Sequence, residues 1–228
     1  MKKEMIIISL GGSLVVPDEV DVDFLKKFRK IILNQITKGK RFVLIIGGGK
    51  ICRKYQKAAS EIVGLTSKEL DWLGISATRF NAYLVKTIFK NLTYREIIAD
   101  PTKKIRMKNE KVIVAAGWKP GCSTDYDAVL LAKNLGVKTL INLTNIDYVY
   151  DKDPKKYPDA KIIKNISWQD FRKIVGNKWD PGLNMPFDPV ASKAAQKQKM
   201  KVIIANGKNL KNLEKILSNK GFVGTVIN

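Results

Sequence analysis

Residues 43–55 read VLIIGGGKICRKY and join an apolar run to three consecutive glycines and a basic segment. The apolar run is typical of a buried strand, and the segment after the glycines is compatible with a helix. Glycines at such a junction let backbone N–H groups approach an anion, and a helix N-terminus adds partial positive charge. Neither familiar phosphate loop fits: Cys52 stands where G-x-G-x-x-G needs its third glycine, and the first glycine of a Walker A loop is missing.

Similar apolar runs alternate with amphipathic segments along the whole chain. Strands are predicted at 5–10, 41–46, 111–116, 138–143 and 201–205, with a last one within 221–227. Helices are predicted at 22–36, 70–89, 123–135 and 209–217, and another begins at Asp188-Pro189. This alternation indicates the α/β class: a three-layer αβα sandwich around a twisted, mainly parallel central sheet.

Four predicted strands end in glycine-rich or turn-like stretches. These are LGGS (10–13), GGGK (47–50), GWKPGCST (117–124) and TNIDYVYDKDP (144–154). A single glycine turn has a backbone reason of its own, but the carboxyl ends of parallel strands meet at one edge of the sheet, where ligands bind. We therefore expect a cleft at this edge, lined by backbone N–H groups and able to hold several phosphates.

The composition excludes several kinds of chemistry. The 228 residues include no histidine, which rules out an imidazole base or a catalytic triad. The two cysteines, Cys52 and Cys122, lack the spacing of a metal site or a disulfide framework, and a reducing cytoplasm fits this. Segment 5–10 is expected to be a buried strand and not a signal peptide, and no run approaches the ~18 apolar residues of a membrane span.

The formal net charge of +21 allows nucleic acid, an acidic membrane surface or small polyanions as partners. The lysines are spread along the whole chain, which favours solvated helix faces or phosphate-rich ligands. No RNA-binding or DNA-binding module is recognisable. We expect small nucleotides as partners, with no specific nucleic acid and no membrane.

At these motifs the chain resembles the amino acid kinase superfamily, and within it the archaeal type of uridylate (UMP) kinase. The residues that carry the resemblance are GGGKICRKYQKAA (47–59), LDWLGISATRFNAYLV (70–85), GWKPGCST, TNIDYVYDKDP and DPVASKAA (188–195), which together extend over nearly the whole chain. The resemblance implies one amino acid kinase-like domain with an N-terminal lobe (1–136) for the acceptor nucleotide and a C-terminal lobe (137–228) for ATP. It also implies transfer of the γ-phosphate of ATP to UMP in pyrimidine nucleotide biosynthesis, with Mg²⁺ accompanying ATP.

The resemblance assigns residues to each nucleotide. Asp71 matches a carboxylate that holds the ribose hydroxyls of UMP, and Tyr150 matches a flat surface for adenine. The residues implied for UMP are Gly48, Asp71, Trp118, Lys119, Pro120, Gly121, Cys122, Ser123 and Thr124. The residues implied for ATP are Ser9, Gly11, Gly12, Gly49, Arg53, Thr144, Asn145, Tyr150 and Asp153. The glycine triplet then lies where the γ-phosphate of ATP meets the α-phosphate of UMP.

Phosphoryl transfer needs positioning and charge neutralisation, which a chain without histidine can supply. Arg53 can grip phosphate oxygens bidentately. Asp125 matches an acidic position that organises catalytic lysines in several relatives, and Asp188 either assists Mg²⁺ or its waters or simply caps its helix. The family's first loop normally carries a lysine where this chain has Ser9. Two alternatives follow. Either another cation performs the role of that lysine, with Lys50 the nearest candidate and Lys119 the next, or the protein transfers phosphate slowly or not at all.

The sequence leaves other functions open. One alternative is another small-molecule kinase of this fold, acting on an amino acid, carbamate or an isoprenoid phosphate. The absence of histidine counts against the isoprenoid phosphate type, and segment 70–85 counts against the amino acid types. A second alternative is a non-catalytic nucleotide sensor, and a third is nucleic-acid binding driven by the charge.

One predicted helix bears on assembly. Its stripe of Leu73, Ala77, Phe80 and Leu84 predicts packing against the sheet. In UMP kinases, by resemblance, this helix packs against a twofold-related copy, which implies a homo-oligomer, either a dimer or a hexamer.

Overall fold

The structure is a computed structural model, and it describes residues 4–154, 156–177 and 185–228. Its strands are β1 (Met5–Leu10), β2 (Arg41–Ile46), β3 (Val112–Ala115), β4 (Thr139–Thr144), β5 (Val149–Tyr150), β6 (Ile162–Ile163), β7 (Asn165–Ile166), β8 (Lys201–Asn206) and β9 (Thr225–Ile227). Its helices are α1 (Gly12–Val15), α2 (Val22–Thr37), α3 (Gly49–Ile62), α4 (Ser67–Phe89), α5 (Thr124–Leu135), α6 (Trp168–Val175), α7 (Pro189–Lys197) and α8 (Leu210–Leu217).

Seven of these strands form one twisted sheet in the order β3-β2-β1-β4-β8-β9-β7. The pairs from β3 to β8 are all parallel, and β9 is antiparallel to β8. The chain leaves β1 toward β2 on one side and later returns to β4 on the other side, so the strand order reverses at β1. Ligands bind at the carboxyl ends of strands at such a switch point. The first glycine loop lies there, and the amide of Gly11 donates to the carbonyl of Leu143 at 3.0 Å.

Helices cover both faces of the sheet, which confirms the predicted three-layer αβα fold. On one face α2, α4 and α8 pack on a cluster that includes Phe28, Phe42 and Phe89. On the other face α5, α6 and α7 pack on a cluster that includes Phe171 and Phe187. The side chains of these five phenylalanines are buried. The central strands are therefore covered on both sides, as their uninterrupted apolar runs predicted.

Most predicted elements lie within one or two residues of the observed ones, and the main exceptions have identifiable causes. Helix α4 begins at Ser67 because Thr66 and Glu69 form a capping box that extends it beyond the predicted start. The predictions did not include the two-residue strands β5, β6 and β7, which are too short to show a period. They also did not include the short helices α1 and α6. No helix in the described ranges is long and apolar enough to cross a membrane.

Candidate functional site

The two glycine loops at the carboxyl ends of β1 and β2 touch through their backbones. A Cβ atom on Gly12 would lie 2.1 Å from the amide nitrogen of Gly49 and 2.4 Å from the carbonyl oxygen of Gly47. Gly49 has a φ of +70°, and a Cβ there would lie 2.6 Å from the carbonyl oxygen of Gly12. A side chain at Gly12 or Gly49 would push the loops apart, so this close approach requires glycine.

A cavity of about 220 Å³ opens beside the second loop, between α3 and α4. Several residues expected to bind UMP or ATP lie together on its wall, and so do residues that the sequence did not single out. The lining residues are Gly48, Gly49, Cys52, Arg53, Gln56, Asp71, Gly74, Ile75, Thr78, Gly117, Cys122, Ser123 and Thr124. Burial raises the pKa of both the Cys52 and the Cys122 thiol, which keeps them protonated and uncharged.

Helix α4 holds the loop after β3, residues 117–124, at three points. The Arg79 guanidinium donates a hydrogen bond to the carbonyl oxygen of Trp118 at 3.3 Å. The hydroxyl oxygen of Thr78 accepts a hydrogen bond from the amide of Gly117 at 2.9 Å. Asp71 Oδ2 accepts one from the amide of Gly121 at 2.7 Å. The carboxylate expected to bind the ribose of UMP therefore also fixes the loop expected to enclose the UMP base and phosphate.

An acidic cluster lies under the first glycine loop. The hydroxyl of Ser9 donates to Asp125 Oδ1 at 3.3 Å, and the backbone amide of Asp188 donates to Asp125 Oδ2 at 3.2 Å. Burial, and then the nearby Asp188 carboxylate, raise the pKa of Asp125 to about 7, against the hydrogen bonds from Asp188 and Ser9. Burial also raises the pKa of Asp188, which caps α7 through a bond from the amide of Ala191. Because position 9 is serine, this cluster accepts a hydrogen bond from a hydroxyl of β1, and no lysine side chain of β1 places a positive charge beside it.

A further carboxylate, the buried Asp127, supports the loop 117–124. Its Oδ2 accepts from the amide of Trp118 at 3.1 Å, and its Oδ1 is buried without a hydrogen bond from any described residue. Burial raises the pKa of Asp127 from 3.8 to about 7, the Trp118 amide opposes this, and the Asp125 carboxylate adds to it. More distantly, Asp100 raises this pKa and Lys119 lowers it.

The raised pKa makes the stability of the nucleotide-free protein depend on pH. Because the folded pKa exceeds the unfolded one, the contribution of Asp127 is complete at low pH and is lost as the pH rises through about 7. Asp127→Asn keeps the shape and removes the buried charge. We expect it to increase the free energy of unfolding by about 2–3 kcal/mol more at about pH 8.5 than at about pH 5. The reason is that about two pH units of the window between 3.8 and about 7 lie above the lower of these pH values, and thermal melts measure the difference. Asp147→Asn, at an exposed carboxylate, is the control, and the same difference at both pH values would contradict the explanation.

The structure places the two cations proposed to replace the missing lysine on other partners. Lys50 Nζ lies 2.9 Å from Asp18 Oδ2, in an ion pair whose side chains are about half exposed or more. Lys119 Nζ lies 4.0 Å from the centre of the Trp118 ring, in a cation–π contact.

Other residues expected to bind ATP lie at the end of β4 and beyond. The hydroxyl of Thr144 donates to the side-chain oxygen of Asn145 at 3.3 Å. Tyr150 lies in the small β5–β6 ribbon, paired with Ile162, and Asp153 follows it. None of these four residues lines the 220 Å³ cavity. They lie on the β4 side of the switch point, and the cavity lies on the β2 side.

Sequence reasoning missed several polar residues at the site, among them Gln56 on the cavity wall and Thr78 and Asn81 on α4. Thr78 and Asn81 are both nearly fully buried, on the same helical face as Ile75, Ala82 and Val85. The amide of Asn81 donates to the carbonyl oxygens of Gly47 and Gly48 at 3.0 and 3.1 Å. The available signal for Thr78 and Asn81 was two polar residues, three positions apart, on an otherwise apolar helical face.

The donor atoms near the loops suit a cation that arrives with a ligand. Asp188 Oδ2 is buried and no described residue donates to it in hydrogen-bonding geometry, although the Ser123 hydroxyl is close enough to lower the pKa of this carboxylate against the effect of burial. Carboxylate oxygens are the ligands that Mg²⁺ prefers. Across the described ranges, no group of three or more acidic, cysteine or histidine side chains could hold a metal ion. The residues therefore fit Mg²⁺ bound through one or two carboxylates together with phosphate and water oxygens, and do not form a complete protein cage.

Comparisons with known proteins agree with this geometry. The profile of the amino acid kinase family matches residues 4–206. The chain is 36% identical to a uridylate kinase of Thermoplasma volcanium over 98% of its own length and 97% of that protein, and 33% identical to one of Pyrococcus abyssi over 94% and 96%. The crystal structure of uridylate kinase from Archaeoglobus fulgidus superposes with a TM-score of 0.81 at 31% identity, covering 99% of this chain and all of that one. The chain thus belongs to the amino acid kinase family.

Proposed function

We propose that the protein is a nucleoside monophosphate kinase that transfers the γ-phosphate of ATP to UMP, giving UDP and ADP in pyrimidine nucleotide metabolism. Near full-length similarity to several archaeal proteins named uridylate kinase supports this substrate pair. The observation that carries the proposal is the cavity between α3 and α4. It brings glycine amides, the Arg53 guanidinium and the Asp71 carboxylate together beside the second glycine loop.

The N-terminal lobe, residues 1–136, would hold the acceptor. The ribose hydroxyls of UMP would donate to Asp71, since a carboxylate accepts from two neighbouring hydroxyls. The loop 117–124 would enclose the base and the phosphate. Asp71 already binds the Gly121 amide of this loop, so nucleotide and loop would share one anchoring carboxylate.

The C-terminal lobe, residues 137–228, would hold ATP together with the first glycine loop. Thr144 ends β4 beside Gly11 and Asn145 follows it, Tyr150 offers a flat ring for adenine, and Asp153 comes three residues later. Gly12 and Gly49 would present backbone amides to the phosphates, whereas the Gly11 amide is already bonded to the Leu143 carbonyl. The γ-phosphate of ATP would then face the α-phosphate of UMP across the contact between the two loops, and the geometry would favour in-line transfer.

Charge neutralisation would come mainly from Arg53, which lines the cavity from the second turn of α3. Lys50 stays the nearest candidate for the role of the lysine that Ser9 replaces. Its ion pair with Asp18 is exposed, and such surface pairs contribute only about 0–1 kcal/mol. Exchanging Asp18 for a phosphate of bound ATP would therefore cost little.

Mg²⁺ bound with ATP would supply further positive charge at the transferred group. Asp188, whose Oδ2 is buried without a well-aligned hydrogen bond from the described residues, would hold it or its waters, and Asp125 lies beside it. The hydroxyl of Ser9 would keep Asp125 oriented.

A coupled ADP-release assay with ATP and Mg²⁺ tests the proposed reaction. The acceptors are UMP, CMP, carbamate and isopentenyl phosphate, and we expect UMP to be used with the highest kcat/KM. Preference for another acceptor would assign a different small-molecule kinase of this family. No turnover with any acceptor, but gain of UMP kinase activity in Ser9→Lys, would identify a nucleotide-binding relative without catalysis.

The outer face of α4 supports self-association. Of the predicted stripe, Leu84 packs on the core, but Phe80 is 79% exposed, so its predicted packing against the sheet is wrong. Tyr83 (61%) and Trp72 (43%) are also exposed on this helix. Three large apolar side chains along one helix suggest an interface. We propose a homo-oligomer in which this face packs against a second copy, and a cytoplasmic location, in keeping with the two free cysteines.

Phe80→Glu is expected to dissociate this assembly, because a carboxylate in an apolar interface must give up its hydration. Analytical ultracentrifugation should show a smaller species than the wild type at equal protein concentration. Tyr157→Glu, at another exposed aromatic residue away from α4, is the matched control and should keep the wild-type mass. Equal masses for all three proteins would remove α4 from the interface.

A further inference from the structure

The amide of Asn81 occupies a position on α4 that packing alone does not explain. Its side chain is only 2% exposed and lies on a helical face whose neighbours, Ala82 and Val85, are apolar. A buried amide costs free energy unless its hydrogen bonds are made. Asn81 makes two from one nitrogen, to the carbonyl oxygens of Gly47 and Gly48. A leucine would suit the helix better, so the function of this asparagine lies in the loop.

Because peptide units are planar and trans, the hydrogen bonds from Asn81 to two carbonyls also orient the N–H groups of Gly48 and Gly49. The carbonyl of Gly47 and the N–H of Gly48 belong to one peptide unit and point in opposite directions, as do the carbonyl of Gly48 and the N–H of Gly49. Holding both carbonyls on the asparagine keeps their partial negative charge away from the phosphates. It also fixes the direction of the two N–H groups, which belong to residues that line the cavity.

Glycine loops need such an anchor more than other loops. Without Cβ atoms, a glycine peptide can flip and exchange its N–H for a carbonyl oxygen at the same place. A carbonyl oxygen facing a phosphate would repel it, whereas a preorganised N–H stabilises the charge that develops during transfer. Helix α4 is well placed to prevent a flip, because it also holds Gly117 through Thr78 and Gly121 through Asp71.

We propose that Asn81 is a positioning residue that aims the Gly48 and Gly49 amides at the phosphates, and that it thereby sets the rate of transfer. The inference rests on the proposed function for the identity of those phosphates. It requires an amide at position 81, since among uncharged side chains of this size only the –NH₂ group offers one hydrogen to each of two carbonyls. A carboxylate of the same shape would have no hydrogen to give.

Asn81→Asp is the main test, with ADP release from ATP and UMP as the readout. We expect kcat to fall about 30-fold while the KM for each nucleotide changes less than about threefold, because preorganised donors act mainly on the transition state. The ratio of variant to wild-type kcat should rise as the pH falls, since a protonated carboxyl regains one donor. Asn81→Ser keeps one hydroxyl donor and introduces no charge, so its kcat should fall less, by about fivefold. It replaces the aspartate variant in the test if that variant folds poorly.

Asn212→Asp is the matched control. Asn212 is also buried and also binds a loop backbone, at Val223, but it lies on α8 outside the site. This variant should lose stability and keep the wild-type kcat. A kcat for both Asn81 variants within about twofold of wild type, or a loss that appears only in KM, would overturn the proposal.

A second readout separates this inference from the proposed reaction. If wild type used none of the acceptors, the assay would count against the proposed function alone. Amide ¹H–¹⁵N spectra would then decide the role of Asn81, with UMP and ATP as probes. We expect added nucleotide to shift the Gly48 and Gly49 amide signals in wild type and in Asn212→Asp but not in Asn81→Asp. Equal shifts in all three proteins would overturn the proposal.

Discussion

Arg53→Ala is expected to lower kcat by about 10²–10³-fold, which corresponds to about 3–4 kcal/mol of transition-state stabilisation. Arg53 lines the cavity beside Gly49, and its planar guanidinium can follow the charge that moves onto the transferred oxygens. Ground-state binding should suffer less, because only part of that charge is present before transfer. Steady-state kinetics with ATP and UMP, together with calorimetric titration of each nucleotide, measure the two effects separately.

Lys57→Ala is the matched control, since Lys57 lies one turn further along α3 and forms an exposed ion pair with Glu61. It removes the same charge from the same helix and should keep kcat within about twofold of wild type. Equal losses of kcat and of nucleotide affinity in Arg53→Ala would make Arg53 a uniform binder. An unchanged kcat would place its guanidinium outside the reaction.

Asp71→Asn is expected to raise the KM for UMP by about 30–100-fold and to leave the KM for ATP within about threefold. There are two reasons. A charge-assisted hydrogen bond to ribose is lost, which is worth about 1.5–3 kcal/mol, and residue 71 accepts more weakly from the Gly121 amide, so the loop 117–124 is held less firmly. Both effects act on the acceptor side alone. Competition between UMP and its 2′-deoxy analogue gives a second measurement, since the variant should discriminate less between them.

Glu61→Gln removes an exposed carboxylate of α3 and is the control for the change in charge. If Asp71→Asn titrated UMP as wild type does, the acceptor would have to bind elsewhere. An equal rise in the KM for ATP would instead indicate that the loop 117–124 serves both nucleotides.

The central strands were predictable because each is a continuous apolar run with a sharp end. Strands β1 and β2 have the predicted bounds. A strand buried on both faces can be predicted from its own apolar run, without knowing which strands it pairs with. The ribbon β5–β6 was not predictable, since two residues per strand carry no period and its pairing depends on a turn. Helix α4 was placed correctly but begins three residues earlier, and Thr66 with Glu69 would have given its start.

The site was predictable as a set of segments but not as a set of contacts. The family resemblance assigned Gly48 and Asp71 to UMP and Arg53 to the ATP phosphates; all three residues line one cavity, and their roles stay predictions. The bond from Asn81 to Gly47 joins residues 34 positions apart, and that from Ser9 to Asp125 joins residues 116 apart. Such contacts follow from packing α4 and α5 on the sheet, which no local pattern records. The ion pair of Lys50 with Asp18 could not be predicted for the same reason, since it depends on where the chain turns after α1.

The contact between Gly12 and Gly49 has a consequence for how this site can change during evolution. Because main-chain atoms meet there, the separation of the two loops does not depend on any side chain, and substitutions elsewhere cannot adjust it gradually. Acceptor preference can drift through Asp71 and Cys122–Thr124, which line the cavity, while the separation of the two loops between which phosphate must pass stays constant. A saturation library should therefore retain only glycine at positions 12 and 49. It should accept many residues at Gly64, where a Cβ would meet nothing within 4 Å.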